Sequence, residues 1–126
     1  MTESQKVRVL HYPRKEKKVA AKTIDRKLDR DNLLEGLERI GIRKEEIKCR
    51  VFCGGKVVMY FNESKIYAPN ISINGTVYHG DVVFVGMNSA GAADLSANQI
   101  KAIKAVVKGV SHGQKERNYQ KAGTGA

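Results

Sequence analysis

Groups able to do covalent chemistry are few in this chain and stand far apart. Its two cysteines, Cys49 and Cys53, are four residues apart, and on a strand that spacing separates their Cα atoms by roughly 13 Å, beyond disulfide reach. The spacing also fails a zinc knuckle, and His11, His79 and His112 are dispersed, so no metal site is expected. The cysteines read as free thiols, small core-facing residues on a strand. A serine nucleophile would need an elbow of the type G-x-S-x-G, which the sequence lacks, and neither cysteine has a histidine pair beside it. His11 or His79 could act as a general base, but a strand-end histidine at the surface is the plainer reading. After Glu63 the acids are Asp81, Asp94 and Glu116 only, too sparse for paired-carboxylate catalysis. These residues predict a protein that binds without reacting, with no catalytic residue and no cofactor.

Binding chemistry is better supplied. The formal charge is +10, and it is unevenly placed. Residues 6–22 hold seven Lys or Arg against Glu16, and residues 95–126 hold six against Glu116. Such a balance favours an anionic partner: nucleotide, nucleic acid, acidic protein or anionic membrane surface. Arg14, Lys15, Lys17 and Lys18 form a basic patch on a turn, and Lys115, Arg117 and Lys121 form a second basic cluster, of which Lys115 and Arg117 could hold phosphate. Between them, Gly86-Met-Asn-Ser-Ala-Gly91 has glycines at P-loop spacing, but Ala92-Ala93 replaces the Lys-Ser/Thr that reaches phosphate and magnesium. It is not a Walker loop. Its small residues would still let a ligand approach backbone N–H groups, with Asn88 and Ser89 for polar contacts. Among the aromatics, most of which belong in the core, Tyr60 or Phe84 could stack on a base.

The elements that must position these groups follow from periodicity. Val7–Tyr12 is β-rich, Pro13–Lys17 is a polar turn, and Lys18–Ile24 returns as a second strand. Leu33, Leu34, Leu37 and Ile40 recur at helical spacing behind Asp29, Asp31 and Asn32, with Glu35 closing a capping box on Asn32 and Gly41-Ile42 ending the helix. From Ile47 the period becomes two, and Gly54-Gly55 closes a hairpin with Val51 opposite Val58, Cys49 opposite Tyr60 and Phe52 opposite Val57. Both faces of that hairpin are partly apolar, so one covers the core and the other meets a helix, a ligand or a second subunit. Ile66-Tyr67, Ile71–Ile73 and Thr76–Tyr78 read as short strands around Pro69 and an Asn74-Gly75 turn. Val82–Val85 is the central strand, and Gly86–Asp94 is a loop leading into a helix capped by Ser96 with Gln99, Leu95 stapling onto Ile100. Ile100, Ile103, Val106, Val107 and Val110 form that helix's apolar face, opposite Lys101, Lys104 and Lys108.

The expectation is therefore one basic α+β domain over residues 1–126: a mainly antiparallel sheet of about five or six strands, a mid-chain helix and a C-terminal amphipathic helix, with residues 111–126 a polar basic tail. No apolar run approaches a membrane span and Met1–Gln5 lacks the core of a signal peptide, which predicts a cytoplasmic protein with no membrane partner. The N-x-S/T triplets at Asn62, Asn70 and Asn74 then carry no meaning as glycan acceptors.

The stretch Asn74–Gly86 (NGTVYHGDVVFVG), followed by Asp94–Ile100 (DLSANQI), resembles short phage and prophage proteins, some of them counter-defence factors. In size, order of elements and basic C-terminal helix the chain is similar to the anti-Thoeris signal-sequestering proteins. That resemblance implies an N-terminal antiparallel sheet with C-terminal helices, and binding of a cyclic nucleotide signal of the cyclic ADP-ribose type at subunit interfaces, as a homodimer or higher homo-oligomer. The residues assigned to that ligand rest on chemistry alone: Tyr60 or Phe84, Asn88, Ser89, Lys115 and Arg117. The alternatives are a nucleic-acid-binding module, an inhibitor that binds a host protein directly, and an enzyme that cleaves a cyclic nucleotide.

Overall fold

Alternation in the first strand sets the plane of the main sheet. In the computed structural model, which describes residues 6–14, 23–63 and 66–109, β1 (Lys6–Tyr12) turns Val7, Val9 and His11 to one face and Leu10 and Tyr12 to the other, all five buried. It pairs antiparallel with β2 (Ile24–Asp29), Val7 opposite Leu28 and His11 opposite Ile24. The opening hairpin is present, but its return strand starts where the expected one ends. Lys15, Lys17 and Lys18 lie outside the described residues.

β3 (Ile47–Phe52) and β4 (Val57–Asn62) pair in the register read from the sequence, Cys49 with Tyr60, Val51 with Val58 and Phe52 with Val57. The link is Cys53–Lys56, with Cys53, Gly54 and Gly55 all at positive φ. The cysteines are not core-facing: Cys49 is exposed on β3, the edge strand of the sheet among the described residues, and Cys53 is exposed in the link. Asn62 fixes the approach to this hairpin. Its buried amide accepts from the Arg43 N–H and donates to the Arg43 carbonyl, both at 2.8 Å.

Val82–Val85 does become the middle of the sheet. β7 (Val82–Asn88) lies between β1 and β4 in the order β2-β1-β7-β4-β3, and its residues from Val82 to Gly86 are buried. A strand covered on both faces needs apolar side chains at every position, and burying each valine or phenylalanine contributes roughly 1.5–3 kcal/mol. β7 continues past the expected boundary and folds back through Ser89-Ala90 into β8 (Gly91–Ala93), so the expected loop is a hairpin. A second sheet, ordered β6-β5-β9, is built from β5 (Pro69–Ile73), β6 (Thr76–His79) and β9 (Val107–Gly109). Ile66-Tyr67 forms a turn before it rather than a strand.

The helix α1 (Leu33–Arg39) ends in the glycine motif expected of it. The Ile42 N–H reaches the Leu37 carbonyl and the Gly41 N–H reaches Glu38, with Gly41 at φ +117°. Its start differs: Asn32 makes no side-chain capping hydrogen bond, so the Asn32–Glu35 box is not formed. The helix α2 (Ala97–Val106) carries the full box, Ser96 Oγ accepting from the Gln99 N–H and Gln99 Oε1 from the Ser96 N–H. Leu95 and Ile100, the expected staple pair, pack into the same cluster. α2 stops at Val106, short of the expected end, because Val107 turns extended and pairs with Ile73; a β-branched residue gives up little by leaving a helix for a ladder. Val110 and the expected tail over 111–126 lie outside the described residues.

The fold is thus α+β; among the described residues it has a six-stranded antiparallel sheet, a smaller sheet and two α-helices. α1 packs on one face of the main sheet, with Leu37 and Ile42 against Val7, Val9, Val83 and Val85. The second sheet and α2 cover the other, with Ile71, Ile73, Tyr78 and Ile103 against Leu10, Tyr12, Met59 and Phe84. Among the described residues no helix is long and apolar enough to cross a membrane.

Candidate functional site

Two polar constellations stand out, and the first is closed. His11 is buried rather than at the surface, and its Nε2 lies 2.8 Å from Asp81 Oδ1, itself buried. Arg26 Nε donates to His11 Nδ1. The Asp81 carboxylate also accepts from the Arg14 N–H at 3.1 Å, with Arg14 Nε 3.6 Å away. The Arg14 guanidinium sits over the Tyr67 ring, 4.7 Å from its centroid, so this member of the expected basic patch is engaged with its own domain. A histidine–carboxylate pair could in principle move a proton. Here a Cβ on Gly41 would stand 2.2 Å from Asp81 Oδ2, so the space beside the carboxylate is filled by backbone. The cluster ties β1, β2, the end of α1 and the entry to β7 into one corner.

Among the described residues, the expected ligand contacts do not converge. Phe84 is 1% exposed and packs edge-on to Tyr12 and tilted against Phe52, so it belongs to the core and cannot stack on a ligand. Tyr60 is half-buried on the opposite face, paired with Val83, and burial, helped by the neighbouring Cys49, raises its phenol above the usual range. Asn88 and Ser89 are exposed at the β7–β8 tip, where Asn88 Oδ1 accepts from the Ala90 N–H. The glycines of that segment serve the hairpin: Gly91 takes φ +113°, and a Cβ on Gly86 would meet the Ala93 carbonyl at 2.7 Å. Lys115, Arg117 and Lys121 lie outside the described residues.

The second constellation is open. A groove of about 640 Å³ runs between the β3–β4 hairpin and β6, an edge strand among the described residues. The β3–β4 register puts Lys48 opposite Phe61 and Arg50 opposite Met59, on the face that the second sheet covers further in. At this margin the cover ends, and the two cations line the groove with one carboxylate, Glu63, and with Phe61, Val77, Tyr78 and His79. Arg50 Nη1 donates to the Tyr78 hydroxyl, and the Phe61 and Tyr78 rings meet edge-to-face at 4.9 Å. Lys48 is only loosely held, 4.0 Å from Glu63 Oε1. His79 donates from Nδ1 to the Tyr67 carbonyl at 2.9 Å, which leaves Nε2 as an acceptor. Inward charges on an edge strand also discourage pairing with other chains, and Lys48 and Arg50 serve that end whatever else they do.

Sequence reasoning missed this groove. The alternation that points Lys48, Arg50 and Phe52 to one side was visible, but β6 as the opposite wall was not. Comparison with known protein families, with curated proteins and with solved structures finds no match.

Proposed function

We propose that this chain binds an anionic, nucleotide-like ligand in the groove between β3–β4 and β6 and holds it without turnover. The observation that carries the reading is the pairing of Lys48 and Arg50 with the ring of Phe61 in one open cleft: cations for phosphate beside an aromatic face for a base. A guanidinium already held by Tyr78 keeps four of its five N–H donors for a phosphate. With the resemblance noted above, the role that fits is a phage-encoded sponge in the host cytosol that sequesters a cyclic nucleotide signal of the cyclic ADP-ribose type. A homodimer belongs to this reading: β3 is an edge strand, and Val51, 61% exposed, lies with Cys49 on the stripe that a second copy would cover.

Calorimetry with purified protein and cyclic ADP-ribose isomers tests it, alongside the Lys48→Ala/Arg50→Ala variant. We expect heat from the wild type, none from the variant, and intact nucleotide released on denaturation. Absence of both heat and released nucleotide overturns the proposal, and cleaved nucleotide overturns the claim of no turnover. A nucleic-acid module is the second reading, favoured by Lys101, Lys104 and Lys108 exposed on α2 and β9. Its affinity would fall log-linearly with salt, with a steeper slope than that of a small ligand whose phosphate meets only two cations.

A further inference from the structure

Among the described residues β6 has an open edge, and its main-chain groups stand beside the cations and the ring. Asn74 and Gly75 sit at φ 50° and 86°, the two left-handed positions of a two-residue hairpin turn, and the turn closes on the pair Ile73–Thr76. Such a turn closes on a hydrogen-bonded pair, and antiparallel pairs then alternate. Ile71–Tyr78 is therefore bonded again, and Ser72–Val77 between them is not. The same alternation turns Ser72 toward Lys108 on the other side of β5, where β9 pairs with it. The N–H and C=O of Val77 consequently point away from β5. β6 is the outer strand of its sheet, so among the described residues they meet no neighbouring strand, and Val77 lines the groove.

A donor and an acceptor side by side on one residue match a flat partner that carries an acceptor beside an amino donor, as adenine does at its N1 and N6. We infer that the main chain of Val77 reads the base edge of the ligand, with the base lying as a continuation of the second sheet and its face toward Phe61. This rests on the nucleotide reading of the groove and adds the part that would choose among bases; it requires an adenine whose N1 is free, so among cyclic ADP-ribose isomers it admits those closed ribose to ribose and not the one closed through N1. Lys48 and Arg50 would take any phosphate; Val77 accepts only a base with a complementary edge. Each bond of this kind, made inside a groove and lost without replacement, is worth about tenfold in affinity.

The probes are AMP, ribose 5-phosphate, which lacks the base, and 1,N6-etheno-AMP, in which that edge is chemically blocked. We expect AMP to bind at least about tenfold more tightly than either. Val77→Pro removes the outward N–H without touching a ladder bond, a position where an edge strand tolerates proline, and should weaken AMP about tenfold while leaving ribose 5-phosphate unchanged. Val77→Thr keeps both main-chain groups and should bind as the wild type does. If AMP and etheno-AMP bind alike while Lys48→Ala/Arg50→Ala still weakens both, the base-edge inference falls and the groove reading stands. If the wild type binds none of the three, both fall. Should Val77→Pro fail to fold, the etheno-AMP comparison decides alone.

Discussion

Arg26 Nε stands 2.8 Å from His11 Nδ1 and donates to it, so the imidazole must accept on that side and present its Nε2–H to Asp81. The cross-strand neighbour thereby fixes a tautomer, and the tautomer satisfies a buried carboxylate. Replacing His11 with Ala leaves Asp81 buried with fewer donors. We expect His11→Ala to lose about 2–4 kcal/mol in urea unfolding, and His11→Gln, whose amide can still donate, to lose less.

Gly41 faces the same carboxylate from the end of α1. Its φ of +117° and the 2.2 Å separation between Asp81 Oδ2 and the place a Cβ would take act together, whereas Gly54 at φ +65° has open space around it. Gly41→Ala should cost about 3 kcal/mol or more and Gly54→Ala about 1 kcal/mol, compared by denaturant midpoint at constant slope.

The two helix starts make a matched test of capping. Ser96→Ala removes a hydrogen-bonded cap and should cost about 1 kcal/mol, while Asn32→Ala removes no side-chain cap and should stay within about 0.5 kcal/mol in the same thermal or urea assay.

Legibility followed how local each determinant is. The β3–β4 register, the Ser96 box, the Gly41 terminus and the central valines are written in short windows of sequence. β8 was not legible, because Gly91-Ala92-Ala93 has little strand preference and is held extended by its pairing with β7. The end of α2 was set by a distant edge at Ile73. Phe84 was misplaced among ligand contacts because its burial depends on the second sheet closing over it. The groove is harder still: Arg50 and Tyr78 are joined by the packing of two sheets, a relation that no window contains.

Alkaline pH should expose the buried phenols. Burial pushes the Tyr12 hydroxyl up to about 12 and raises that of Tyr60, so the native state keeps protons that the unfolded chain releases from the ordinary phenol value of 10.0 upward. The folded pKa being the higher one, this stability is whole below about pH 10 and is lost as pH climbs toward 12, at up to about 1.4 kcal/mol per unit for Tyr12. Phenolate absorbance titrated with and without urea measures it: in urea both should ionise at lower pH.

Self-association should depend on the exposed stripe of β3. We expect sedimentation velocity to show a dimer for the wild type and a monomer for Val51→Glu, with unchanged circular dichroism; identical sedimentation of the two would remove β3 from any interface.

The position of β7 also bears on how the chain assembles. Val85 pairs with Val9 on one side and Val58 on the other, so a strand late in the sequence fills the gap between two hairpins that precede it. Those hairpins have local partners, yet neither sheet face is complete until β7 is inserted. Completing the sheet therefore waits on a closure from β1 to β7 that spans most of the described chain, a long-range pairing of the kind that slows folding. Until that strand arrives, the inner edges of β1 and β4 remain unpaired, and that interval is when the molecule is most open to misassociation.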